Sequence, residues 1–149
     1  MNEKYELIDE SIDIDFLGQK LFRIRAKAAF SGVAKGEKGG YVAAEKNLSP
    51  YGNAWIFGNA RVSGNAEVSG NAKVGGDARL ARPSDILVIG PAGSRDDYLT
   101  VTVSNGKARI GCFAGTLDEL EAAAKERQRQ DYLDLLPGIR AMINRRCNA

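Results

Sequence analysis

Histidine is absent from this 149-residue chain. That removes the usual general base at neutral pH, the imidazole metal ligands, and the Ser–His and Cys–His nucleophile pairs. Cysteine is scarce. Cys112 and Cys147 have neither metal-ligand spacing nor a disulfide framework, so reduced thiols in a cytoplasm are expected. No apolar run approaches the ~18 residues of a membrane-spanning helix, and MNEKYELIDE lacks the basic-then-apolar order of a signal peptide. A strong charge excess is also missing. The net charge is +2, with eight cations and eight acids in residues 1–51 and ten and nine in residues 82–149. Neither a nucleic-acid binder's basic face nor an acidic mimic shows in these totals, so direct nucleic-acid binding is not expected. Carboxylate-only chemistry, for instance through Asp96 and Asp97, is the enzymatic option that survives. Otherwise the composition is that of an ordinary globular protein of one domain or two small ones, 44% hydrophobic and 27% charged.

What the chain does have is a repeat. Five near-identical hexads, GNAWIF, GNARVS, GNAEVS, GNAKVG and GDARL, run from Gly52 to Leu80. A period of six supplies one short strand and one corner per hexad, the signature of a parallel β-helix. Alternation within a hexad points Ala54, Ala60, Ala66, Ala72 and Ala78 inward, with Ile56, Val62, Val68, Val74 and Leu80. Trp55, Arg61, Glu67, Lys73 and Arg79 then point outward. The glycines suit corners that need unusual backbone angles.

The flanks read differently. Residues 1–29 are expected to form an N-terminal β-hairpin cap, from Tyr5–Ile8, Ile12–Phe16, a turn at Gly18-Gln19 and a strand over Lys20–Ala26. On that last strand Arg23, Arg25 and Lys27 share one face. Residues 30–81 carry the β-helix, its first coil degenerate, with Val42 and Leu48 keeping the step of six. After Arg82-Pro83 the period is lost. Residues 82–149 predict a three-stranded sheet plus helices: Asp85–Gly90, then Tyr98–Val103 and Lys107–Phe113 joined at Ser104-Asn105-Gly106. Thr116–Glu119 is a capping box for a helix running to about Gln130. A second helical stretch over Asp131–Arg146, broken or kinked at Pro137-Gly138, aligns Tyr132, Leu135, Leu136, Ile139 and Ile143 on one face. That apolar stripe is the expected oligomer interface, a dimer preferred and a trimer the alternative. Gly93, Ser94 and Arg95 form a candidate anion-binding turn.

The hexads resemble the hexapeptide repeats of left-handed β-helix proteins, best known as acyltransferases, in which three hexads make one triangular coil. That resemblance implies a mainly β chain: a short left-handed parallel β-helix of about three coils with an N-terminal β-hairpin and a C-terminal α+β cap. It would stack Ile56 over Val74, Val62 over Leu80, Trp55 against Lys73 and Arg61 over Arg79, a like-charge pair that calls for an anionic partner. Phe22-Arg23-Ile24-Arg25-Ala26, Gly39-Gly40-Tyr41-Val42 and the GNA hexads resemble a group of bacteriophage and prophage proteins. Ile89-Gly90-Pro91 through Thr100, and Gly111-Cys112-Phe113 through Glu119, are similar to a unit often appended to such repeats. This second resemblance implies phage or prophage origin and expression in the cytoplasm of a bacterial host. It carries no catalytic residues.

The expected function is that of a non-enzymatic interaction protein that binds and inhibits a host antiviral defence complex, a protein or ribonucleoprotein. Its contact residues are expected to be Arg23, Arg25, Trp55, Phe57, Arg61 and Arg79. Alternatives are an oligomeric binder that sequesters an anionic nucleotide signal, a virion or tail-associated structural protein, and an acyltransferase-like enzyme, which the missing histidine disfavours. No cofactor, metal or membrane partner is expected.

Overall fold

Alternating short hydrophobes, glycine corners and two helical stretches, the first of them capped, give a chain made mainly of strands with two C-terminal helices. The structure is a computed structural model and describes residues 2–12, 20–92, 97–110 and 113–147. The chain divides into two units, residues 1–83 and 84–149.

In the first unit, β1 (Tyr5–Ile12) and β2 (Leu21–Ala26) pair antiparallel, and β2 pairs antiparallel with β3 (Lys38–Val42). The hexads supply β4 (Trp55–Ile56), β5 (Arg61–Val62), β6 (Lys73–Val74) and β7 (Arg79–Leu80). One sheet has the order β1-β2-β3-β5-β7, and a second has β4-β6. The expected hairpin pairing is present, β1 with β2. It continues into the hexad strands, because β3 takes β2 on one edge and β5 on the other.

The hexad pairs are parallel and eighteen residues apart, Trp55 with Lys73 and Arg61 with Arg79. Earlier in the chain the step is twenty, Val42 with Val62 and Leu48 with Val68. The two added residues lie at one corner, where Ser49-Pro50-Tyr51-Gly52 stands against Ser69-Gly70. Tyr51 protrudes there, 77% exposed. The five alanines and five aliphatic residues expected inward are all buried, none above 1% exposed. Each buried Val, Ile or Leu contributes roughly 1.5–3 kcal/mol. Close backbone packing explains Gly64, whose φ is 57° and whose Cβ, if it had one, would lie 2.4 Å from the Ala81 carbonyl oxygen. Asn47 is fully buried; its Nδ2 donates to the carbonyls of Gly64 (3.2 Å) and Ala66 (2.9 Å), and its Oδ1 accepts from the Ala44 amide (3.0 Å).

In the second unit β8 (Ile86–Ala92), β9 (Asp97–Thr102), β10 (Lys107–Ile110) and β11 (Phe113–Thr116) form an antiparallel sheet in the order β11-β10-β9-β8. It has four strands rather than the three expected, since Phe113–Thr116 folds back on β10 instead of extending it. α1 (Leu117–Glu126) starts on the expected capping box: Thr116 Oγ1 accepts from the Glu119 amide and Glu119 Oε1 from the Thr116 amide, each at 3.1 Å. α2 (Gln130–Cys147) runs through Pro137 without ending.

The stripe expected to join two copies is instead this unit's own core. Tyr132, Leu136, Ile139 and Ile143 are 1–7% exposed among Leu99, Val101, Ala108, Ile110, Leu117 and Leu120, with Leu135 partly buried beside them. The four-stranded sheet and α1 supply the residues that bury these four side chains within the unit.

Candidate functional site: an arginine row on the five-stranded sheet

Cross-strand register carries one line of side chains over four adjacent strands. Arg23 on β2 faces Tyr41 on β3, Tyr41 faces Arg61 on β5, and Arg61 faces Arg79 on β7. At a strand spacing of ~4.8 Å the row is about 14 Å long. Val42, Val62 and Leu80, the next residues in three of these strands, are buried, so the pleat turns the row outward. A second, shorter row lies beside it: Glu6, Arg25 and Lys38 on β1, β2 and β3.

The two ends of the main row differ. The Arg23 guanidinium stacks on the Tyr41 ring, 4.6 Å from its centroid, and donates to the Gly39 carbonyl (3.0 Å) and the Tyr41 hydroxyl. Tyr41 is buried beneath it. Arg25 donates through Nε (2.9 Å) and Nη2 to one Glu6 oxygen, in a pair whose side chains are 43% and 42% exposed. Arg23 and Arg25 therefore work within the sheet as well as facing solvent. At the other end Arg61 is half-buried and Arg79 exposed, two cations directly opposite each other.

The expected contact group is thus split. Arg23, Arg25, Arg61 and Arg79 share this sheet, whereas Trp55 and the half-buried Phe57 belong to the β4-β6 stack. Trp55 is not a surface residue at all, being 0% exposed. Its strand points it outward, but Phe30 covers it edge to face at 5.4 Å. Phe30 is held in place by paired backbone hydrogen bonds with Val33. Lys38 and Tyr41 were not among the sequence-derived contacts. The signal for Tyr41 was available, because Val42 inward requires its neighbour outward. The candidate anion turn at Gly93, Ser94 and Arg95 lies outside the described residues, as does Asp96.

Among the described residues no three thiols or carboxylates gather where a metal ion could be held, and no helix is long and apolar enough to cross a membrane. Compared with protein-family models the chain matches none, and it matches no curated protein.

Proposed function

We propose that this chain is a non-enzymatic interaction protein that docks on an acidic surface of a host protein or ribonucleoprotein complex and inhibits it by occupancy. In this reading the hexads form a short left-handed parallel β-helix, and the chain acts in the cytoplasm of a bacterial host infected by a phage or carrying a prophage. The observation that carries the docking surface is the outward row Arg23–Tyr41–Arg61–Arg79. Arginine forks pair bidentately with carboxylates, and a rigid sheet fixes their spacing before the partner arrives. An acidic protein suits this row better than single-stranded nucleic acid does. The row's one aromatic, Tyr41, is buried under Arg23 and offers no base-stacking platform.

The test is the double charge reversal Arg61→Glu with Arg79→Glu, which leaves the internal bonds of Arg23 and Arg25 in place. Capture of host proteins by the wild type should fall at least tenfold in the variant, and fall in the wild type as salt rises, with the thermal midpoint unchanged. Undiminished capture by a folded variant overturns the docking surface. Catalytic turnover of acetyl-CoA or a nucleotide by the wild type overturns the binding role.

A further inference from the structure

Two lysines share one aromatic ring on the other stack of the first unit. Lys4 is buried, 7% exposed, with Nζ 5.1 Å from the Phe30 ring centroid. Lys73 Nζ lies 5.9 Å from the same centroid. Both ammonium groups hold the corner that carries Tyr51. Lys4 donates to the carbonyls of Ser49 (3.0 Å) and Tyr51 (3.5 Å), and Lys73 to the Asn53 carbonyl (2.6 Å) and Ser31 Oγ (3.3 Å). Trp55, opposite Lys73 in register and edge-on to Phe30, keeps a buried indole Nε1–H with no hydrogen-bond partner.

We propose that Lys4 is a carbonyl-reactive amine, and that with Lys73 and the Phe30 ring it forms a site for a small aldehyde or ketone bearing an anionic group. The inference is independent of the arginine row. A lysine beside a second cation and away from water is the arrangement that frees an amine for imine chemistry. Burial, and then the charge of Lys73, pulls the Lys4 ammonium down to about 8 from 10.5. Tyr5 is the titratable neighbour on β1, with its hydroxyl donated to the Glu45 and Leu48 carbonyls; Glu45 and Glu67 act on Tyr5. The hydrogen bonds fit both protonation states of Lys4. An ammonium has three protons, two of them directed at Ser49 and Tyr51; the neutral amine keeps two donors for those carbonyls and gains a lone pair in the third direction.

The step closes without another reagent. The Lys4 nitrogen adds to the carbonyl carbon as the C=O π pair moves to oxygen. One N–H proton moves to that oxygen to give the carbinolamine, whose hydroxyl then leaves with the second N–H proton as water, leaving a C=N bond. Lys73 holds the anionic group throughout.

Pyridoxal 5′-phosphate is the probe, used on the folded full chain at pH 7–9, with sodium borohydride to reduce the imine and fragment mapping to separate Lys4 from the chain's α-amine. Lys4 should label about tenfold faster than exposed Lys35 or Lys46, with a rate that rises through pH ~8. Pyridoxal, which lacks the phosphate, should label it several-fold more slowly. Lys73→Met should abolish that difference and move the pH midpoint upward. If Lys73→Met does not fold, the two probes on the wild type decide alone. Lys4 labelling no faster than Lys35 and Lys46, or only in urea, overturns the reactive amine. Equal rates with the two probes overturn the anion site.

Discussion

Phe30 and Trp55 meet edge to face, their ring centroids 5.4 Å apart and their planes at 77°. Trp55 is the chain's one tryptophan, so its fluorescence reports this contact alone. Folded protein should emit at the short wavelengths of a dry indole. Phe30→Ala should shift emission to the red and cost about 2–3 kcal/mol, less than the ~3–5 of a fully buried phenylalanine. An unshifted spectrum in the folded variant would mean that Phe30 does not seal the site.

Asn47 joins two levels of the hexad stack through one side chain. Asn47→Ala orphans the Ala44 amide and removes donors from Gly64 and Ala66, for an expected loss of about 2–4 kcal/mol in urea melts. Asn47→Asp should be worse, because it sets a carboxylate against two carbonyl oxygens. Asp performing better than Ala would show that the acceptor, not the two donors, carries the stabilisation.

Val68 is fully buried while its neighbour Glu67 is exposed. Val68→Asp should cost several kcal/mol, whereas Glu67→Lys should stay within about 0.5 kcal/mol. Equal shifts in melting temperature would contradict the alternation.

Stability should bend with pH in two opposite directions around Lys4 and Tyr5. The Lys4 ammonium is held down at about 8 against 10.5. Between those values the unfolded chain binds more protons and stability rises with pH; below pH ~8 both states are protonated and this group contributes no slope. Burial first, and then Glu45, pushes the Tyr5 hydroxyl up to about 12 from 10.0. Above pH ~10 the unfolded chain has released a proton that the folded chain keeps, and stability falls. The maximum from this pair should lie near pH 10. Lys4→Met should flatten the rising limb and Tyr5→Phe the falling one, in denaturation midpoints measured from pH 7 to 11.

The inward residues of the hexads were legible because one rule, alternation within a six-residue step, decides them all. Trp55 shows where that rule stops. Its direction followed from the strand, but its cover comes from Phe30, at the start of the degenerate stretch, where the step of six does not fix what a side chain meets. Arg61 opposite Arg79 followed from eighteen-residue spacing, yet the link to Arg23 passes through Tyr41, whose register of twenty depends on two residues at a distant corner. In the second unit the helical period placed Tyr132, Leu136, Ile139 and Ile143 on one face correctly. The strand that widens the sheet was missed, because Phe113 read as the end of a strand running from Lys107 and Thr116 only as the cap of the helix, whereas Phe113–Thr116 pairs back on β10.

The corner at Pro50-Tyr51 has a use beyond the native chain. Leu48 meets Val68 across twenty residues, yet Trp55 meets Lys73 across eighteen, so the pairing returns to its step of eighteen directly after the surplus pair. Backbone on both sides of Tyr51 is pinned by Lys4 and Lys73, and the side chain itself stands in solvent. Lengthening a closed loop costs only about 0.6 kcal/mol per doubling. A foreign epitope or binding loop can be grafted between Tyr51 and Gly52, and the hexads will display it without being rewritten.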